Sequence, residues 1–155
     1  MRTKRFLAAA VLVGLACGLV LAQATNPLIG TWELNVAKSK APFKSGTTTV
    51  EAVGEGIRFI VDLEGTDGKK HHWEFTANYD GKDVPITGSS PYGDTVAVTR
   101  VNPRTTRTVA KNGGKVTTTH TLVVSADGKT RTATAKGVDK AGKPVDSVSY
   151  YERKE

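Results

Sequence analysis

The sequence has 155 residues and a mass of 16.5 kDa, which is room for one domain. Its 22 Lys+Arg against 15 Asp+Glu give a formal charge of +7, and its 38% hydrophobic content suits neither a disordered chain nor a polytopic membrane protein. One cysteine and three histidines exclude a disulfide framework and a cysteine-rich zinc module, and leave little for a multi-histidine metal site.

Residues 1–24 read as a signal peptide. Arg2, Lys4 and Arg5 form a positive n-region, Phe6 to Ala22 is an apolar run, and Ala22-Gln23-Ala24 is a small-x-small cleavage site. Cleavage after Ala24 leaves residues 25–155 as one working domain. The cut removes three basic residues and no acid, so the charge falls from +7 to +4. The expectation is a secreted or periplasmic protein with no stable membrane insertion after cleavage. An uncleaved anchor is the competing reading, against which the cleavage site and the short apolar run both argue. Cys17 follows Gly14-Leu15-Ala16, but apolar sequence continues past it through Leu21, which is a poor lipobox. Lipidation is therefore not expected, and the mature chain has no thiol.

No later stretch sustains a helical period, whereas period-two alternation recurs. Ile57, Phe59, Val61 and Leu63 share one face; so do His71, Trp73, Phe75, Ala77 and Tyr79; so do Val116, Thr118, His120, Leu122 and Val124. Asp67-Gly68, Asp80-Gly81 and Asp127-Gly128 supply the positive φ of tight turns, and Asn112-Gly113-Gly114 and 139–142 read as further hairpin loops. The pattern predicts strands over 30–36, 46–53, 56–64, 69–79, 82–87, 94–101, 104–111, 115–125, 129–137 and 145–153. Even spacing and short loops point to a single antiparallel up-and-down β-barrel of eight to ten strands, with a two-sheet sandwich as the alternative. Two segments break the meander. Residues 37–45 (AKSKAPFKS) have room for one short helical turn before Pro42, and 87–94 (TGSSPYGD) reads as a plain connector or, at a barrel end, a lid.

Gly30-Thr31-Trp32 opens the first strand, close behind the mature N-terminus. This resembles the Gly-x-Trp signature of the lipocalin and calycin barrels. The runs GTWELNVAKSKAPF, YDGKDVPITG (79–88) and SADGKT (125–130) are similar to a group of small secreted bacterial lipocalin-like proteins. The resemblance implies that Trp32 plugs the closed barrel end and that a basic residue near the last strand lies over its indole. Arg153 is the candidate for that residue, with Lys154 second. Gly30 would permit close approach of chain at this base.

The bulk is unevenly distributed. Trp32, Phe43, Phe59, Trp73, Phe75 and Tyr79 lie in the first half, while Tyr150 and Tyr151 are the only aromatics from 94 onward. A barrel large-walled on one side and small-walled on the other leaves interior volume. Phe59, Val61, Trp73, Phe75, His120 and Leu122 are the expected ligand-binding wall; a fully packed core is the alternative.

Catalytic chemistry is thin. Adjacent His71 and His72 face opposite ways on a strand, and a pairing of His71 with His120 is the one metal or haem option, set against ordinary hydrogen-bonded histidines. There is no Gly-x-Ser-x-Gly elbow, and Ser89-Ser90 has no evident base. Asp62, Glu64, Glu74 and Asp83 fall on outward positions or turns. Arg100, Arg104, Arg107, Lys111, Lys115, Arg131 and Lys136 make the second half basic; the ordinary reading is a solvated outer face that discourages edge pairing. The sequence therefore points to a monomeric, non-catalytic carrier of a small, largely hydrophobic ligand. No catalytic residue, cofactor, metal or nucleic-acid partner is expected. The alternative is an envelope interaction module using the basic outer face for an acidic polymer or a protein partner, and a small barrel enzyme comes third.

Overall fold

Threonine and valine at alternating positions hold the backbone extended. In the computed structural model, which describes residues 26–155, they do so in eleven strands with no helix among those residues. The strands are β1 (Gly30–Lys40), β2 (Phe43–Val53), β3 (Gly56–Gly65), β4 (Lys70–Ala77), β5 (Asp80–Pro85), β6 (Thr87–Gly88), β7 (Thr95–Asn102), β8 (Thr105–Asn112), β9 (Lys115–Val124), β10 (Thr130–Val138) and β11 (Pro144–Arg153). The proposed signal peptide and Cys17 lie outside the described residues.

All eleven belong to one antiparallel sheet in the order β5-β7-β8-β9-β10-β11-β1-β2-β3-β4-β6. From β1 to β4 and from β7 to β11 neighbours along the chain are neighbours in space, and β11 returns to β1, with Trp32 opposite Arg153. The sheet curls into a nearly closed up-and-down barrel. Its seam lies between β4 and β7, where residues 80–88 bridge the gap. β5 pairs with β7, placing Val84 opposite Val96, and β6 then pairs with β4, placing Gly88 opposite Trp73. Ile86 joins the two by donating its N–H to the Asp94 carbonyl at 2.8 Å. Only glycine fits at position 88: its φ is +100°, and a Cβ there would collide with the His72 carbonyl.

The inward faces follow the period-two pattern. Ile57, Phe59, Val61 and Leu63 of β3 and Trp73, Phe75 and Ala77 of β4 are all buried. Phe59 and Phe75 stand opposite each other in register and stack, with centroids 5.3 Å apart and planes 5° from parallel.

Three expectations fail for local reasons. Residues 37–45 contain no helical turn. β1 continues to Lys40 and β2 begins at Phe43, with only Ala41-Pro42 as the bend. A register shift absorbs the surplus residues: Asn35 pairs with Tyr150, but Lys40 pairs with Val148. Ser39 fastens this bulge, donating its hydroxyl to the Asn35 carbonyl and accepting the Tyr150 N–H. Val116 does not share the inner face of β9 and is 60% exposed. A shift in the β8–β9 register between Val109 and Lys111 inserts one residue and turns Val116 outward. Arg131 is not on the solvated outer face. It is 2% exposed and lies opposite the inward residues Val124 and Tyr151.

Candidate functional site

The two ends of the barrel are built differently. At one end the chain entering β1 crosses beneath the sheet. Trp32 is fully buried there and donates its indole N–H to the Leu28 carbonyl at 2.9 Å. The Arg153 guanidinium lies 4.2 Å from the Trp32 ring centroid. All three of its nitrogens are engaged: Nε with the Gly128 carbonyl at 2.7 Å, Nη1 with Ile29 at 2.6 Å and Nη2 with Pro27 at 2.6 Å. Gly30 has φ +134°, and a Cβ on it would strike the Arg153 guanidinium. Glycine at 30, tryptophan at 32 and arginine at 153 thus form one interlocked base, closed by carbonyls rather than by carboxylates. The remaining basic candidate, Lys154, stays on the surface near Glu33 at 3.9 Å.

The interior above this base contains a cavity in two adjoining compartments, of about 70 and about 80 Å³. Phe59, Val61, Trp73, Tyr92, His120 and Leu122 line both. The first compartment adds Phe75, so the six sequence-selected wall residues all meet on it, together with Ile86, Val96 and Ala110. The second extends toward Thr48, Ser149, Tyr151 and Arg131.

Three side chains that the distribution of bulk does not place inside reduce the space. Tyr92, from the segment between β6 and β7, turns into the barrel, with its ring 4.7 Å edge-on from His120 and 6.1 Å edge-on from Trp73. The backbone around Tyr92 is fixed from two sides: the Thr117 hydroxyl donates to its carbonyl at 2.5 Å, and the Lys140 N–H donates to Pro91 at 2.8 Å. This segment is therefore a folded-in cap rather than a plain connector. Arg131 and Tyr151 occupy the side that Thr, Val and Ala were expected to leave empty. Arg131 lies 4.2 Å from the Tyr151 ring centroid and 5.2 Å from that of Trp32.

Burial sets the charge state inside. It pushes the His120 imidazole down to about 4, so this ring is neutral at pH 7. It pushes the Tyr92 hydroxyl upward, so the phenol stays protonated. His71 is at the outer end, 3.3 Å from the Ser89 carbonyl, and His72 points outward to Asp62 at 2.6 Å. The three histidines therefore do not converge. Among the described residues no group of three or more His, Cys, Asp or Glu is placed to hold a metal. The sequence-selected carboxylates face outward into ion pairs, Glu74 with Arg58 at 2.7 Å, Glu64 with Lys44 at 2.9 Å and Asp83 with Lys111 at 2.7 Å.

The opposite end is open. Its turns surround a depression of about 640 Å³ lined by Lys40, Phe43, His71, Tyr92, Asp139 and Ser147 among others. Tyr92 borders this depression and both inner compartments, so it stands between solvent and cavity. No protein-family model and no curated protein matches this sequence.

Proposed function

We propose that this is an exported, lipocalin-like, non-catalytic carrier that holds a small, largely apolar molecule inside its barrel and acts as a monomer. The observation that carries the reading is the asymmetry of the two ends. One is sealed by Trp32 and Arg153, and the other opens through a depression that meets a mostly apolar cavity at Phe43, Tyr92 and Ser147.

Cavity size bounds the ligand. Sites for drug-sized molecules usually span several hundred Å³, whereas an apolar cavity of about 150 Å³ accommodates a single benzene ring. The two compartments together reach that lower scale. The ligand body therefore has about six to eight non-hydrogen atoms, with any longer tail passing Tyr92 into the outer depression. Its apolar part contacts Phe59, Val61, Trp73, Phe75 and Leu122, while His120 supplies a neutral polar edge.

Mass spectrometry of organic extracts from natively purified protein tests this reading. The expected result is a small lipophilic compound approaching one per chain. It should be reduced severalfold in an Ala110→Leu variant, whose added methyl groups fill the first compartment. Extracts free of bound compound, from a protein that also fails to take up added hexanol, would refute it.

A further inference from the structure

We propose that the cavity ligand carries a carboxylate and that Arg131 is its anchor, an inference that rests on the carrier reading and sharpens it to a class of small monocarboxylic acids. Arg131 is 2% exposed, and its Nε and Nη1 have no hydrogen-bond partner. Buried guanidinium donors without acceptors are costly and rare. Its surroundings supply aromatic faces, with Tyr151 at 4.2 Å, Trp32 at 5.2 Å and Phe59 at 5.7 Å. Those rings stabilise the positive charge, and the Tyr151 hydroxyl is the single acceptor they carry, yet Nε and Nη1 remain without a partner.

Arg153 provides the internal comparison. It too lies over Trp32, yet every one of its nitrogens donates to a backbone carbonyl. The chain thus satisfies an arginine fully where its role is to hold the base. It leaves the second arginine unsatisfied on the wall of a cavity.

The missing partner has a definable chemistry. No Asp or Glu lines the compartment that Arg131 borders; the groups acting on it are the Tyr151 hydroxyl and, with the same sign as its own charge, Arg153. A buried guanidinium with no carboxylate lining its compartment calls for an anion, whereas water would supply acceptors without charge. Thr48, Ser147 and Ser149 line the same compartment and add hydroxyl donors. A carboxylate, planar and acceptor-only, matches the guanidinium edge. The adjoining compartment, with Phe75, Ile86, Val96 and Ala110, takes the apolar body. Burial already pushes the Arg131 guanidinium down to about 10, and it remains charged at neutral pH. Access runs past Phe43, Tyr92 and Ser147, which border both the outer depression and the Arg131 compartment.

Calorimetric titration of the purified protein with hexanoate and, separately, with hexanol tests the proposal. The expected result is that hexanoate binds tighter than hexanol by about tenfold or more. Arg131→Met should abolish that preference by weakening hexanoate binding far more than hexanol binding. In the wild type, hexanoate but not hexanol should shift the Arg131 Nε–H proton resonance downfield and slow its exchange with solvent. Equal affinity for acid and alcohol, or an unmoved Arg131 resonance, overturns the anchor and leaves the carrier reading standing. Binding of neither probe overturns both. Because the wild-type comparison decides without any variant, failure of Arg131→Met to fold does not protect the proposal.

Discussion

At the scale of single residues, Trp32 has the clearest structural role. Its fully buried indole bonds the Leu28 carbonyl and lies under a guanidinium tied to Ile29 and Pro27. Trp32→Ala should destabilise the fold by about 3–5 kcal/mol in denaturant titration, the usual range for truncating a buried aromatic. Near wild-type stability would contradict the plug geometry. His120 gives a prediction in pH. Burial depresses its folded-state pKa to about 4, below the 6.5 of an ordinary solvated imidazole. The unfolded chain therefore binds the proton more tightly, and stability is lost as pH falls through the window from about 6.5 to about 4. The loss by pH 4.5 should be about 2 kcal/mol. His120→Gln should flatten that slope, and a variant with an unchanged slope would remove His120 as its source. Much at this scale was legible in the sequence. Gly30, Trp32 and Arg153 occupy one base, and the six wall residues meet on one cavity. Arg131 was not legible as an interior residue, because an arginine among threonines normally marks a solvated face. Its alternation with Ala133 and Ala135 held the signal, since Ala135 is buried and all three line the cavity.

At the scale of elements, the segments that escaped the strand pattern are those where tertiary contacts override local propensity. Residues 37–45 looked like a place for a helical turn, because Lys, Ala and Ser carry little β preference. The bulge held by Ser39 keeps the chain extended instead, and it brings Phe43 into the barrel wall. The Gly/Ser/Pro composition of 87–94 correctly indicated a break between long strands, but composition alone does not orient one aromatic ring. Tyr92 is drawn inward because Trp73 and His120 offer edges to it and Thr117 and Lys140 hold its backbone. As a cap, this ring should shield Trp73. Tyr92→Ala should therefore raise acrylamide quenching of tryptophan fluorescence, and the rise should vanish when Trp73→Phe is added. Trp32, sealed at the opposite end, serves as the unaffected reference. Quenching that Tyr92→Ala leaves unchanged would show that the segment does not gate the cavity.

At the scale of the whole molecule, alternation, hairpin turns and β-branched composition were enough to anticipate one antiparallel up-and-down barrel. The seam between β4 and β7, and the division of 80–88 into β5 and β6, were not, because one continuous strand pattern can pair with two neighbours in succession. The uneven distribution of bulk did point to interior space. Side chains entering from Arg131, Tyr151 and Tyr92 then set its size near that of a small ring rather than a long lipid. Whether this space receives a ligand is decided by titrating hexanol into nitrogen-labelled protein and following amide shifts by NMR. Saturable shifts are expected, centred on Phe59, Val61, Trp73, Phe75, His120 and Leu122, with the outward faces of the same strands little changed. Shifts confined to the outer surface, or none below the solubility limit of the probe, would contradict ligand binding inside the barrel.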